Sequence, residues 1–225
     1  NSSALGTTAA GTSVQIGATL GVQNNVNVAA GEIINLYGTI APPSAPSIKN
    51  IADTNTLQGA ITLNGGVNTG VSIDANSGSL TLSGAITQAS NPNYIIKTGS
   101  ADLTLSGSGS NTFSGGFTIN DGKVIAAKSA GDATGAGNVN IGDGIGGAAT
   151  ATLQLNASNQ INNSSAVTIQ TDGRLDLQSN NDTIGALTMA GGNVQGTGTL
   201  TLGNTLTFNG VGASTADISA NLNVG

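Results

Sequence analysis

The sequence predicts an all-β protein, a parallel β-solenoid running as one domain over residues 1–225. Three observations carry that expectation. Apolar-polar-apolar triplets recur along the whole chain, glycine-rich turns separate them, and no stretch shows helical spacing of apolar residues. Alternation with period 2 marks a strand, and a triplet marks a very short one. A chain that turns after every few residues of strand is coiling rather than laying out a long-stranded sheet.

The densest example lies between Ile95 and Ala126, where Leu103-Thr104-Leu105, Phe117-Thr118-Ile119 and Val124-Ile125-Ala126 are divided by Gly107, Gly115, Gly116 and Gly122. Before it come Val14-Gln15-Ile16, Val26-Asn27-Val28, Ile61-Thr62-Leu63, Val71-Ser72-Ile73 and Leu80-Thr81-Leu82. After it come Val139-Asn140-Ile141, Leu153-Gln154-Leu155, Val167-Thr168-Ile169, Leu175-Asp176-Leu177 and Leu187-Thr188-Met189. Leu200-Thr201-Leu202, Leu206-Thr207-Phe208 and Leu222-Asn223-Val224 close the series. Alternation puts the outer pair of each triplet on one side and the middle residue on the other. The inward set is therefore expected to include Leu103, Leu105, Phe117, Ile119, Leu153, Leu155, Val167 and Ile169. Thr104, Thr118, Gln154 and Thr168 are expected to face out.

Val139, Leu153 and Val167 follow one another at equal intervals, and the other starts are irregular. Coils of about 20 residues, each with two or three strands, fit that range and give roughly ten coils. An antiparallel sandwich also uses short strands at such spacing. Two-residue hairpin turns should then dominate. Asp121-Gly122, Asp143-Gly144 and Asp172-Gly173 are the candidates, but most connections are longer Ala/Ser/Asn/Gly stretches, which favours the solenoid.

Composition narrows the class. Hydrophobic residues make up 37%, charged residues 7% and aromatics 2%, so the core is built from small aliphatic side chains rather than absent. Glycine, 35 of 225 residues, is about twice average usage without a Gly-X-Y period, which excludes collagen. Glutamate occurs once, at Glu32, and lysine four times, which argues against helices. Three of the four prolines lie in Ala41-Pro42-Pro43-Ser44-Ala45-Pro46, so residues 40–55 are expected to leave the coil stack as an excursion. Asn24, Asn25, Asn64, Asn120, Asn138, Asn156, Asn162 and Asn163 sit at expected turns, where stacked side chains can bond in ladders and tolerate left-handed backbone.

A net charge of −6 with five basic residues excludes nucleic acid as a partner. Lys97, Lys123 and Lys128 fall in one repeat region, where the expectation is solvated turn lysines rather than a binding face. No apolar run is long enough for a membrane helix.

The chain has no His and no Cys, so Ser-His-Asp and Cys-His nucleophiles and His/Cys zinc sites cannot be built. Gly142-Asp143-Gly144-Ile145-Gly146-Gly147 precedes no helix and reads as a turn, not a dinucleotide loop. Asp172, Asp176 and Asp182 are the only carboxylate set with glycosidase character, and Arg174 is the only arginine for a lyase. With few aromatic residues (Tyr37, Tyr94, Phe113, Phe117, Phe208) to form sugar platforms, surface and turn roles are expected instead. Asn180-Asn181-Asp182-Thr183-Ile184 lacks the glycine doublet of a calcium β-roll. A single calcium site at Asp121, Asp143 or Asp172 is the residual alternative, and a chelator is expected to leave the thermal midpoint unchanged. No catalytic, cofactor or metal residue is assigned.

The stretch from Ile95 to Ala126 also resembles the autotransporter-associated β-strand repeat of type V-secreted bacterial surface proteins. Lys97-Thr98-Gly99 with Leu103-Thr104-Leu105-Ser106-Gly107 matches its opening, Asn111-Thr112-Phe113-Ser114-Gly115-Gly116 its middle and Thr118-Ile119-Asn120-Asp121-Gly122 its end. Phe117 and Asp102 depart from the pattern without breaking the alternation. A looser likeness, to segments between such repeats, runs from Asp182 to Gly203. The resemblance implies a right-handed parallel β-helix within an exported passenger. It carries over no catalytic residue. It implies a non-catalytic stalk or adhesive segment outside a bacterial cell, anchored through a region not present here, with a host or cell-surface ligand as partner. Absence of cysteine suits export in an unfolded state.

The alternative is a self-assembling surface-layer or filament subunit, and the third is a polysaccharide-active β-helix. The pattern is cut at Asn1 and Gly225 and no charged cap follows Asp217, so a longer parent chain or end-to-end association between copies is expected.

Overall fold

The computed structural model describes residues 5, 11–40, 43, 45–210, 212 and 214–224. Ala41, Pro42 and Ser44 of the proline-rich stretch lie outside the described residues. Among the described residues the strands pair parallel throughout, apart from an isolated antiparallel bridge between Thr39 and Gly70, and there is no helix. The strands stack into a β-solenoid of about nine turns. One coil shows the plan. Ile61–Asn64 forms the third face, Thr69–Ala75 joins the first long sheet and Ser79–Leu82 the second. The next coil repeats the order with Ile86–Gln88, Asn93–Thr98 and Asp102–Leu105. The two long sheets have nine strands each. At ~4.8 Å per strand the rod is about 43 Å long.

Coil length is irregular, as the uneven spacing of the triplets in the sequence indicated. Leu187 pairs with Leu206 across a short coil, whereas Val124 pairs with Leu153 across a much longer one. The extra residues sit in corners, where an insertion leaves the register of the strands intact. None of the three Asp-Gly pairs makes a hairpin. Gly122 and Gly173 instead open strands of the second long sheet. Gly122 adopts φ +70 and faces the Gly99 carbonyl, so the chain turns there without room for a side chain.

Alternation sets the core. In the second long sheet Leu80, Leu103, Val124, Leu153, Leu175 and Val194 stack in register. All eight residues expected to face inward are buried, and Thr104, Thr118, Gln154 and Thr168 are only half-buried. Each buried Leu contributes ~1.5–3 kcal/mol. Phe113 and Phe117 enlarge the core locally, meeting edge to face with ring centroids 6.2 Å apart.

Some terminal triplets behave differently. The first strand is Thr12–Val14, and Ile16 is exposed. Phe208 and Val224 are likewise exposed, in the last strands of their sheets. Within the span 40–55, Ile48–Asn50 and Thr54–Leu57 belong to the two long sheets. There Asn50 and Asn55 take inward positions. Asn55 Nδ2 donates to Asn50 Oδ1 at 2.8 Å, and both side chains also bond corner carbonyls, so their burial is compensated.

The third face is interrupted. Its four-stranded part ends at Ile86–Gln88 and a three-stranded part begins at Asp182–Ile184. Between them side chains take over the ladder. Asn111 Oδ1 accepts the Ile86 amide while Nδ2 donates to the Ala133 carbonyl. Gln160 Oε1 accepts the Lys128 amide, and Gln160 donates back to the Lys128 carbonyl. Asp182 Oδ2 accepts the Gln160 and Ile161 amides. Of the expected ladder of turn asparagines, one rung is present, Asn64 Nδ2 donating to Asn35 Oδ1 at 3.4 Å, and elsewhere such mixed pairs take its place. Asn162 bonds Asp132, and Asn138 accepts the Ala166 amide. The left-handed backbone does occur, at Asn24 and Asn25.

Candidate functional site

The three carboxylates with glycosidase character do not converge. Asp172 lies at the corner between the long sheets, Asp176 in a strand of the second, and Asp182 at the start of a strand of the third face. Each is occupied by its own fold. Asp176 accepts the Gln178 amide and the Gln178 and Gln195 carboxamides at 2.8–3.0 Å. Asp172 reaches back one coil to the glycine-rich loop, accepting the Gly144 amide at 2.8 Å and the Asp143 amide at 3.3 Å. A Cβ on Gly142 would overlap the Asp172 carboxylate. The loop therefore does cradle an anion, and that anion is its own Asp172. Asp143 and Asp121 accept nearby backbone amides in the same way. No group of three potential ligands that would hold a metal occurs among the described residues.

Asp182 is buried and has no cation beside it. Burial pushes its carboxyl up to about 6 from 3.8, Asp132 adds to the rise, and amides of Gln160, Ile161 and Thr183 oppose it. The folded form thus holds the proton more tightly than the unfolded form. Stability from this group is fully present below pH ~3.8 and is lost as pH rises through ~6. Wild type should gain at most ~3 kcal/mol between pH 7.5 and 4 from this source. Melting curves of wild type and Asp182→Asn across that range check it. The difference between the two proteins should change with pH, and a pH-independent difference would rule out titration at Asp182.

The lysines correct the expectation of solvated turn residues. Lys97 is fully buried, taking an inward position between Ile73 and Ile119 in the first long sheet. Its Nζ donates to the Gly99 carbonyl at 2.5 Å and to the Asp121 carbonyl at 3.0 Å, closing the corner from inside. Burial pushes its ammonium down to about 8, against the pull of Asp121, Asp74 and Asp102. Lys128 is also buried and lowered to about 8 by burial, with Nζ donating to the Gly84 carbonyl. Of the three, Lys123 alone faces solvent, 3.2 Å from Asp102. These three lysines form no common face.

Two clefts flank the glycine-rich loop. One, of about 390 Å³, is lined by Thr98, Asn120, Asp121, Asp143, Ile145 and Thr150. The other, of about 160 Å³, holds Arg174, Asn193 and Asp217. A third cleft, almost wholly apolar, lies near the N-terminal end and contains Ile16, Tyr37 and Ile40. Sequence reasoning did not find these clefts, because each joins residues from several coils.

Residues 95–126 match the model of the passenger-associated-transport-repeat. No curated protein and no solved structure matched the chain. The repeat and the β-solenoid together fit an autotransporter passenger repeat protein. The matched segment begins just before Lys97 and contains Phe113, Phe117 and Gly122, the residues that fill and turn the central coils. The repeat implies a secreted protein displayed at a cell surface.

Proposed function

We infer that this segment is a non-catalytic rod of an autotransporter passenger, a rigid stalk or adhesive face outside a bacterial cell. The observation that carries this reading is the use of the carboxylates. Asp121, Asp143, Asp172, Asp176 and Asp182 all accept hydrogen bonds that hold corners and coils together. Groups spent in this way support a scaffold rather than a reaction. Limited proteolysis combined with an activity screen on neutral and acidic glycans tests it. The expected result is a protease-resistant core and no turnover. Glycan cleavage abolished by an aspartate substitution would replace this reading with an enzymatic one.

Self-association, side by side or end to end, is the second reading. Its support is the apolar cleft, where Ile16 and Ile40 are 63% and 78% exposed beside Tyr37. Electron microscopy and light scattering over a concentration series separate the two. Filaments from purified protein, weakened by Ile40→Asp, would favour assembly. A monodisperse rod would favour the stalk.

A further inference from the structure

The chain contains a single arginine, Arg174, and its position is unusual for a surface cation in an acidic protein. The described residues form two ion pairs, Lys49 with Asp74 and Lys123 with Asp102, and Arg174 takes part in neither. Its Nε donates to Asn193 Oδ1 at 3.2 Å, and this is the one hydrogen bond of its side chain among the described residues. A guanidinium has five N–H donors in a planar fork. The terminal fork is thus left open while one bond fixes the side chain.

The surroundings make a compartment for that fork. Arg174, Asn193 and Asp217 occupy successive rungs of one outward column of the second long sheet. Thr171 and Thr215 add hydroxyls, and Ala149 of the preceding loop closes the cleft. Ala149 has φ +61, a conformation that costs a non-glycine residue and here stands beside the cleft. Its carbonyl accepts Thr152 Oγ1 at 3.3 Å, and the Asp172 carboxylate holds the same loop at Gly144. The wall of the cleft is therefore built, not incidental.

We propose that the Arg174 cleft is a binding subsite for a uronic acid residue of an acidic polysaccharide. The guanidinium fork matches the two oxygens of a planar carboxylate. Asp217 sits two rungs away, about 9–10 Å along the stack between backbones, forms no ion pair with Arg174 and is placed to accept sugar hydroxyls. Asn193 and the two threonines offer further partners for a ring rich in hydroxyls. At about 160 Å³ the cleft admits one ring-sized group. An acidic peptide such as oligoglutamate offers the fork a carboxylate but no side-chain hydroxyls for Asn193, Asp217 and the two threonines. This binding role goes beyond that of a scaffold and requires no catalysis.

An NMR titration of the whole chain tests the proposal, with oligogalacturonate, oligoglucuronate, a neutral galacto-oligosaccharide and an oligoglutamate peptide as probes. One of the uronates should shift the amides of Arg174, Asn193 and Asp217, with affinity falling as salt rises. The neutral sugar should not. Arg174→Gln should lose at least tenfold in affinity at an unchanged melting temperature. Arg174→Lys keeps the charge and stem without the fork and should lose several-fold, so it serves where the glutamine variant misfolds. No binding of either uronate up to about 10 mM overturns the proposal. Equal binding of the neutral sugar, tighter binding of oligoglutamate, or full affinity in both variants overturns it as well.

Discussion

Leu105→Asp is expected to collapse the coil that carries it, while Thr104→Asp, one residue away, leaves the protein folded. Leu105 is 2% exposed and stacks between Leu82 and Ala126 in the core of the second long sheet. Truncating a buried Leu costs ~2–5 kcal/mol, and a carboxylate in its place adds the desolvation of a charge with no partner. The expected loss is ~5 kcal/mol or more, a drop of at least about 10 °C at 2–4 °C per kcal/mol for a chain of this size. Thr104 faces outward on the same strand and should move the midpoint by about 2 °C or less. Similar melting temperatures for the two variants would contradict the alternation on which the whole fold rests.

That alternation is the part of the structure written most openly in the chain, because period 2 depends only on neighbours. It identified the inward and outward residues of the central coils. It also carried information that residue type concealed. Ile95 and Lys97 are two apart in one strand, so parity places Lys97 inward as firmly as Ile95, yet a lysine reads as a solvated residue. Its burial becomes intelligible once the corner carbonyls of Gly99 and Asp121 are seen above it. Coil length was less legible, since an insertion at a corner, such as residues 142–150, leaves every strand register unchanged. The interrupted third face had no periodic signature at all. Asn111, Gln160 and Asp182 replace backbone rungs from positions far apart in the chain, and nothing local marks them.

The same limit applies to the clefts. The Arg174 cleft draws residues from four separate coil segments, and only the register that aligns Arg174, Asn193 and Asp217 brings them together. The glycine-rich loop was recognised as a turn from its lack of a following helix. What the sequence did not reveal was the reason for Gly142, a carboxylate arriving from the next coil.

Gly59→Ala is expected to destabilise the N-terminal coils about as much as a core truncation, although it adds one methyl group. Gly59 lies at the corner leading into the third face, directly against the previous coil. An added Cβ there would stand 1.6 Å from the Glu32 carbonyl oxygen and 2.7 Å from its carbon. Gly84 repeats the arrangement one coil later, its Cβ position 2.0 Å from the Gly59 carbonyl oxygen. Both obstacles are backbone, so no side chain can swing aside, and the coils must part. Parting strains the bonds on either side, from the Ile34 amide to the Ala60 carbonyl and from the Ile61 amide to the Ala85 carbonyl, both 2.9 Å. Overpacking of this kind costs ~3 kcal/mol or more at its upper end, a fall of about 6–12 °C. Gly147→Ala is the control, because nothing lies within 4 Å of its added Cβ. That variant should stay within ~0.5 kcal/mol of wild type. Hydrogen exchange supplies a second readout, with faster exchange at Ile34 and Ile61 in Gly59→Ala and none in the control. If Gly59→Ala melts with wild type and keeps those amides protected, coil spacing at this corner is looser than the close approach of Gly59 to Glu32 requires.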